Sequence, residues 1–135
     1  MRILEVDNIE TSYGAIKALE GISISVDEGE LVAICGVNGA GKSTTLKSIA
    51  GVLKPGKGSI VFLGENIAGK KPEQIAKKGI ALVPEGRDVF PSLTVAENLR
   101  LGAFTNYKKD VYEKDLEDAF ELFPILKERI NQHAG

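Results

Sequence analysis

Gly36-Val37-Asn38-Gly39-Ala40-Gly41-Lys42-Ser43 is the stretch that decides the fold. It meets the spacing Gly-x-x-x-x-Gly-Lys-Ser/Thr at every fixed position. Before it runs Leu31-Val32-Ala33-Ile34-Cys35, a continuous apolar segment that reads as a strand covered on both faces. After it, residues 42–50 read as a helix that Gly51 ends. A glycine-rich turn carried from a strand to a helix start converges several phosphate-binding devices. Glycines let successive backbone N–H groups aim inward as an anion nest. The helix start adds unpaired N–H groups and the positive end of its dipole. Lys42 supplies a cation for β- and γ-phosphates, and Ser43 a hydroxyl for the Mg²⁺ that bridges them. A plain turn entering a helix accounts for neither Lys42 nor Ser43.

On either side of this loop the chain alternates strands and helices. Residues 3–6 alternate weakly as a short strand, Tyr13-Gly14 is a turn, and residues 18–26 form a strand with Ile22, Ile24 and Val26 on one face. Lys54-Pro55-Gly56-Lys57-Gly58 is a turn cluster leading to a strand over residues 59–63. Pro72 opens a short helix through residue 78, and residues 80–83 read as a second fully apolar strand closed by Pro84. Strand–helix–strand alternation implies an α/β core with parallel strands, the earlier strands being antiparallel. Thr94 and Glu97 have capping-box spacing. Val111, Leu116, Ala119, Phe120 and Phe123 recur at helical spacing, the mark of an amphipathic helix whose plain reading is packing. Pro124 breaks it, and residues 125–130 form one more helical piece.

With 43% hydrophobic and 27% charged residues, the 135-residue chain can bury a core and does not have the composition of a disordered segment. Seventeen basic residues against nineteen acidic, scattered rather than striped, give no pull toward nucleic acid. Cys35 is the single cysteine, so no intrachain disulfide exists, and within its apolar run it reads as a small buried hydrophobe. No apolar stretch approaches the roughly 18 residues of a membrane span, and the N-terminus lacks a signal pattern. The expectation is a soluble, intracellular protein whose membrane link comes through a partner.

The loop extended through Thr44 closely resembles that of ABC-type ATPases. Ser12-Tyr13-Gly14 resembles the family's A-loop, whose aromatic ring stacks on adenine. A π-face stacks on a base with little sequence demand, and the alternative for Tyr13 is ordinary packing. Val83-Pro84-Glu85-Gly86-Arg87-Asp88-Val89-Phe90 stands where the family has its Q-loop, with Glu85 in place of the usual glutamine. Together with Leu93-Thr94-Val95, Glu97-Asn98-Leu99, Leu122-Phe123-Pro124, Leu126-Lys127-Glu128-Arg129 and Asn131-Gln132, it is similar to an ATPase subunit of branched-chain amino-acid importers. Related urea and amide importers share much of this but commonly keep the glutamine.

The resemblance covers essentially the whole chain. It implies a truncated α/β fold, a P-loop NTPase of ABC ATPase type with an antiparallel β portion and the start of a helical subdomain. Residues 1–90 would be the nucleotide-binding core with P-loop and Q-loop, and residues 91–135 the beginning of the helical subdomain. ATP and Mg²⁺ are the implied cofactors, Tyr13, Gly36, Asn38, Gly39, Ala40, Gly41, Lys42, Ser43 and Thr44 the nucleotide contacts, and Ser43 and Glu85 the metal ligands. A carboxylate at position 85 is a hard oxygen ligand, and its charge beside a γ-phosphate raises its pKa unless the metal compensates. The implied partners are a second ATPase subunit and transmembrane permease subunits, at the inner face of the cell membrane.

Family members continue with a signature motif, a Walker B strand carrying a metal-binding Asp and a catalytic Glu, and a switch histidine. No apolar run ending in Asp-Glu follows Gly69, and His133, the sole histidine, lies in a polar tail and reads as solvated with no role. The expectation is therefore ATP binding without turnover, and apolar strand edges left uncovered. The competing readings are a soluble ABC protein of translation or DNA repair, against which low basicity speaks, and an inert fragment.

Overall fold

The computed structural model describes residues 1–86 and 88–135, Asn106 without its side chain. The described chain forms two compact units, Met1–Leu82 and Val83–Gly135.

The first unit is built on a four-stranded antiparallel sheet of order β2-β1-β3-β4, from β1 Arg2–Tyr13, β2 Ile16–Asp27, β3 Lys57–Phe62 and β4 Glu65–Asn66. The strands β1 and β2 are a long hairpin in which Val6 faces Ile24 and Ile9 faces Ile22. Val6 and Ile9 are three positions apart, so a regular strand would send them to opposite faces. A bulge at Asp7 and Asn8, with Asn8 at φ 47° and its N–H donating to Ser23 Oγ at 2.8 Å, absorbs the extra residue. Both side chains are thereby buried, in a core completed by Leu19, Ile49, Ile60, Ile67 and Ile75. Each such aliphatic side chain contributes about 1.5–3 kcal/mol through its removal from water.

Two helices accompany the sheet, α1 Lys42–Ile49 and α2 Pro72–Ala76. The helix α1 is tied to β1 by a buried polar contact, Thr11 Oγ1 to Ser48 Oγ at 3.1 Å. Ser48 gives its only proton to the Thr44 carbonyl at 2.8 Å, so Thr11 is the donor in that pair.

The expected parallel strands are absent among the described residues. Residues 31–35 and 80–83 carry no strand assignment, Leu31 is 97% exposed and Val83 90%. An apolar strand covered on both faces needs a pairing neighbour on its edges and a layer on each face, and no described residue supplies a neighbouring strand to either segment. Cys35, expected to be a buried hydrophobe, is exposed for the same reason.

The second unit holds α3 Val95–Gly102, a 3₁₀ turn Phe104–Asn106, α4 Lys109–Leu122 and α5 Pro124–Glu128. Pro124 stands at the first turn of α5, where its missing N–H costs nothing. Of the stripe read on α4, Leu116, Ala119 and Phe120 are half-buried, whereas Val111 and Phe123 are exposed. His133 is not a free tail residue. It bridges Thr94 in antiparallel fashion, and its Nδ1 lies 2.9 Å from the Ser92 carbonyl, a geometry that places the proton on Nδ1. No described helix is long and apolar enough to cross a membrane.

Candidate functional site

The loop of residues 36–43 ends at Gly41, which has φ 90° and is the N-cap of α1. A left-handed residue here turns the chain sharply into the helix, and space excludes any side chain. A Cβ on Gly41 would sit 2.5 Å from Leu19 Cδ2 and 2.8 Å from the Ala18 carbonyl oxygen. The loop backbone thus rests directly on β2. Within the loop, the Ala40 N–H closes a turn on the Val37 carbonyl at 3.1 Å.

Lys42 is the first residue of α1, yet its side chain folds back over the loop. Its Nζ donates to the Gly36 carbonyl at 2.7 Å and to the Val37 carbonyl at 2.8 Å. The ammonium is therefore held across the start of the loop, while its backbone begins the helix. No side chain caps α1 and no acidic residue lies in its first turn, so the positive end of the helix dipole is not neutralised by the helix's own residues. The Gly41 carbonyl anchors the turn by accepting both the N–H of Thr45 at 2.8 Å and its hydroxyl at 2.9 Å. Ser43 is exposed, whereas Thr44 is buried at 8% exposure. Cationic Lys42 and the helix start make an anion site, and the exposed Ser43 hydroxyl is a neutral oxygen donor suited to a hard cation held jointly with phosphate. The donor set thus fits a metal-bound phosphate group.

Tyr13 lies at the tip of the same hairpin, paired with Ile16 and 48% exposed. Leu19, the residue that abuts Gly41, pairs with Thr11. Tyr13 is two residues further along β1, about 7 Å at the usual rise of an antiparallel strand. One hairpin therefore carries both the support of the loop and the aromatic ring.

Glu85 is exposed in a bend at the head of the second unit. Arg87, part of the same expected stretch, lies outside the described residues. No group of three or more His, Cys, Asp or Glu able to hold a metal occurs among the described residues.

In the second unit, Thr94 caps α3. Its hydroxyl accepts the Glu97 N–H at 3.2 Å, and Glu97 Oε2 accepts the Thr94 N–H at 2.8 Å and its hydroxyl at 3.0 Å. The Thr94 backbone N–H, then its hydroxyl, hold the Glu97 carboxyl below the usual carboxylate range. The face of α3 presents an open cleft of about 390 Å³, lined mainly by apolar atoms of Leu93, Glu97, Arg100, Leu101 and Phe104. Sequence reading passed over this cleft, because the α3 residues that line it, Glu97, Arg100 and Leu101, lie three and four positions apart, a pattern that ordinary packing also produces.

A sequence profile of the family described as ABC transporter matches residues 19–134. Over 133 residues the chain is 47% identical to the high-affinity branched-chain amino acid transport ATP-binding protein BraG of Pseudomonas aeruginosa, covering 98% of this chain and 57% of that protein. It is 34% identical to the xylose/arabinose import ATP-binding protein XylG of Sulfolobus acidocaldarius, over 98% of this chain and 56% of that one. A solved ATP-binding subunit of an ABC transporter superposes with a TM-score of 0.85 at 36% identity, covering 97% of this chain and 54% of its own. The chain spans a little over half the length of each of these relatives.

Proposed function

The chain belongs to the ABC transporter family, and we propose that its loop of residues 36–43 binds ATP as the nucleotide-gripping part of an importer's ATPase subunit. The observation that carries this reading is the placement of Lys42, whose ammonium is held by the Gly36 and Val37 carbonyls at the start of a loop that leads into an uncapped helix. An arriving polyphosphate replaces two neutral carbonyl acceptors with charged oxygens, which bind an ammonium more strongly. Tyr13 would stack on the adenine and Ser43 would offer its hydroxyl to Mg²⁺, while Glu85 carries a hard carboxylate oxygen of the kind a divalent cation takes. Mg²⁺, held in part by Ser43, would supply positive charge that offsets the negative charge of the phosphate oxygens. Residues 1–90 serve as the nucleotide core and 91–135 begin the helical subdomain.

The transported substrate is read from the relatives. Identity of 47% to BraG supports branched-chain amino acids, and Glu85 in place of glutamine favours that group over urea and amide importers. The intact subunit hydrolyses ATP, pairs with a second ATPase subunit and drives permease subunits from the cytoplasmic face. The apolar cleft on α3 is the surface of this chain that suits a permease contact. Taken alone, the chain has no apolar run ending in Asp-Glu after Gly69, so it binds ATP without turning it over.

Two experiments test this reading. A phosphate-release assay on the 135-residue chain should give a signal no higher than buffer, and release that depends on Lys42 refutes the claim of inactivity. Affinity capture of the chain from detergent-solubilised membranes of its source should retain a multi-span permease. Retention of ribosomal or DNA-repair components instead decides for the soluble alternative.

A further inference from the structure

We propose that Thr11 is a positioning residue: by donating to Ser48 it fixes the direction of α1 against β1, and with it the span between the Tyr13 ring and the phosphate loop, so that one nucleotide meets both. The role rests on the reading of residues 36–43 as a phosphate site and of Tyr13 as its adenine platform. Thr11 Oγ1 donates to Ser48 Oγ at 3.1 Å, and Ser48 donates in turn to the Thr44 carbonyl at 2.8 Å. The relay runs from β1 into the first turn of α1. Thr11 and Ser48 are each 1% exposed, so bulk water does not compete for either hydroxyl. Ile9, Thr11 and Tyr13 occupy alternate positions of β1, so their Cβ atoms leave one face of the strand. The residue that ties α1 and the residue that carries the ring are therefore neighbours on one side of β1, about 7 Å apart.

One contact leaves a helix free to pivot, and a second one fixes its direction. The first lies at the N-cap, where Gly41 rests on Leu19 and on the carbonyl of Ala18, a residue that the pairing of β1 with β2 skips between Leu19 and Lys17. The second, Thr11 on Ser48, lies seven residues further on, about 10 Å along the helix axis. The buried residues of α1 are Thr44, Thr45, Ser48 and Ile49, three hydroxyl side chains to one aliphatic. Apolar burial is non-directional and tolerates sliding, whereas a hydrogen bond demands a distance and an angle. Thr45 turns its hydroxyl back onto the Gly41 carbonyl, while Ser48 reaches the sheet through Thr11. The helix whose start faces the phosphates is thereby aimed from the same hairpin that holds the ring.

The test compares the chain's affinity for ATP with that for inorganic tripolyphosphate, both with Mg²⁺, by calorimetric titration. Their ratio isolates what the adenosine half adds, roughly 5- to 100-fold for one base stacked on one aromatic ring. Thr11→Val keeps the volume and removes the donor. Combining it with Ser48→Ala removes both hydroxyls, so that no buried polar group is left short of a partner and the fold is retained. In both variants tripolyphosphate should bind as before, while the ratio falls by roughly five-fold or more, toward that of Tyr13→Ala. Thr11→Ser, which keeps the donor, should preserve the ratio. In a Tyr13→Ala chain Thr11→Val should lower it no further, because the two residues act on one contact. A full ratio in the double variant overturns the positioning role. So does a loss of tripolyphosphate affinity equal to the loss for ATP, which marks the pair as packing alone, and so does a Thr11→Ser variant that behaves as the valine one. No tripolyphosphate binding in the unaltered chain fells the phosphate-site reading, and a ratio untouched by Tyr13→Ala fells the adenine platform, each taking the role of Thr11 with it.

Discussion

Replacing Gly41 with alanine tests whether the loop is seated on β2 as described. Gly41 has φ 90°, a backbone an L-residue enters at a cost of about 1–2 kcal/mol. The new Cβ also meets Leu19 Cδ2 at 2.5 Å and the Ala18 carbonyl oxygen at 2.8 Å. Leu19 is 2% exposed and cannot swing into solvent, and the carbonyl belongs to a paired strand. Overpacking of this kind adds about 1–3 kcal/mol. Gly39 is the matched control, because its φ of 84° is nearly the same and nothing lies within 4 Å of its Cβ position. Gly39→Ala should therefore lose only the backbone component, about 1–2 kcal/mol, and Gly41→Ala about 2–5 kcal/mol. With a urea slope of about 1–3 kcal/mol per molar, the Gly41→Ala midpoint should lie roughly 1 M below that of Gly39→Ala. Equal midpoints for the two variants refute the argument that the loop backbone is pressed against Leu19 and Ala18.

Other perturbations separate the two units. Ile60→Ala, at a side chain with 0% exposure, should cost about 2–5 kcal/mol in urea unfolding, whereas Val83→Ala, 90% exposed, should stay within about 0.5 kcal/mol. Thr94→Ala removes the α3 cap and should cost about 0.5–2 kcal/mol, read as loss of amide protection in α3 with the first unit unchanged. Three carboxyls titrate below their ordinary value of 4.5: Glu10 chiefly through its hydrogen bond from Lys57, Glu65 through that from Lys78, and Glu97 through the Thr94 N–H. A depressed folded-state value favours the ionised folded form, so their stabilisation is complete above the ordinary carboxylate range and is lost as pH falls through the lowered values. Stability should be level near neutrality and decline on acidification below about 4.5, and a Glu97→Gln variant should show a shallower decline by thermal unfolding. A steeper decline in that variant contradicts the assignment.

Local signals in the sequence survived intact into the structure. Gly51 ends α1 in a left-handed conformation, Thr94 and Glu97 cap each other, and Pro124 starts α5. Each depends on residues within one turn of one another, which a linear reading sees directly. The hairpin was legible only in part. Alternation in β1 breaks at Asp7 and Asn8, so a period-of-two reading stops at Val6, while the bulge carries the strand on to Tyr13. The two-residue β4 is too short for any period. Residues 31–35 and 80–83 failed differently: their composition states what environment they require, and no described residue provides it. At the site, the Gly-Lys-Ser spacing named the residues but not the fold-back of the Lys42 ammonium onto Gly36 and Val37, nor the contact of Gly41 with Leu19. Those contacts, like the tie of Thr11 to Ser48, link positions whose spacing carries no motif of its own.

Calorimetric titration of the chain with Mg-ATP, repeated on Lys42→Ala, tests the nucleotide site most directly. The account predicts saturable binding to the unaltered chain, lost in Lys42→Ala while the urea midpoint stays the same, since Lys42 holds only exposed carbonyls. Undiminished binding in Lys42→Ala, or none in the folded unaltered chain, contradicts it.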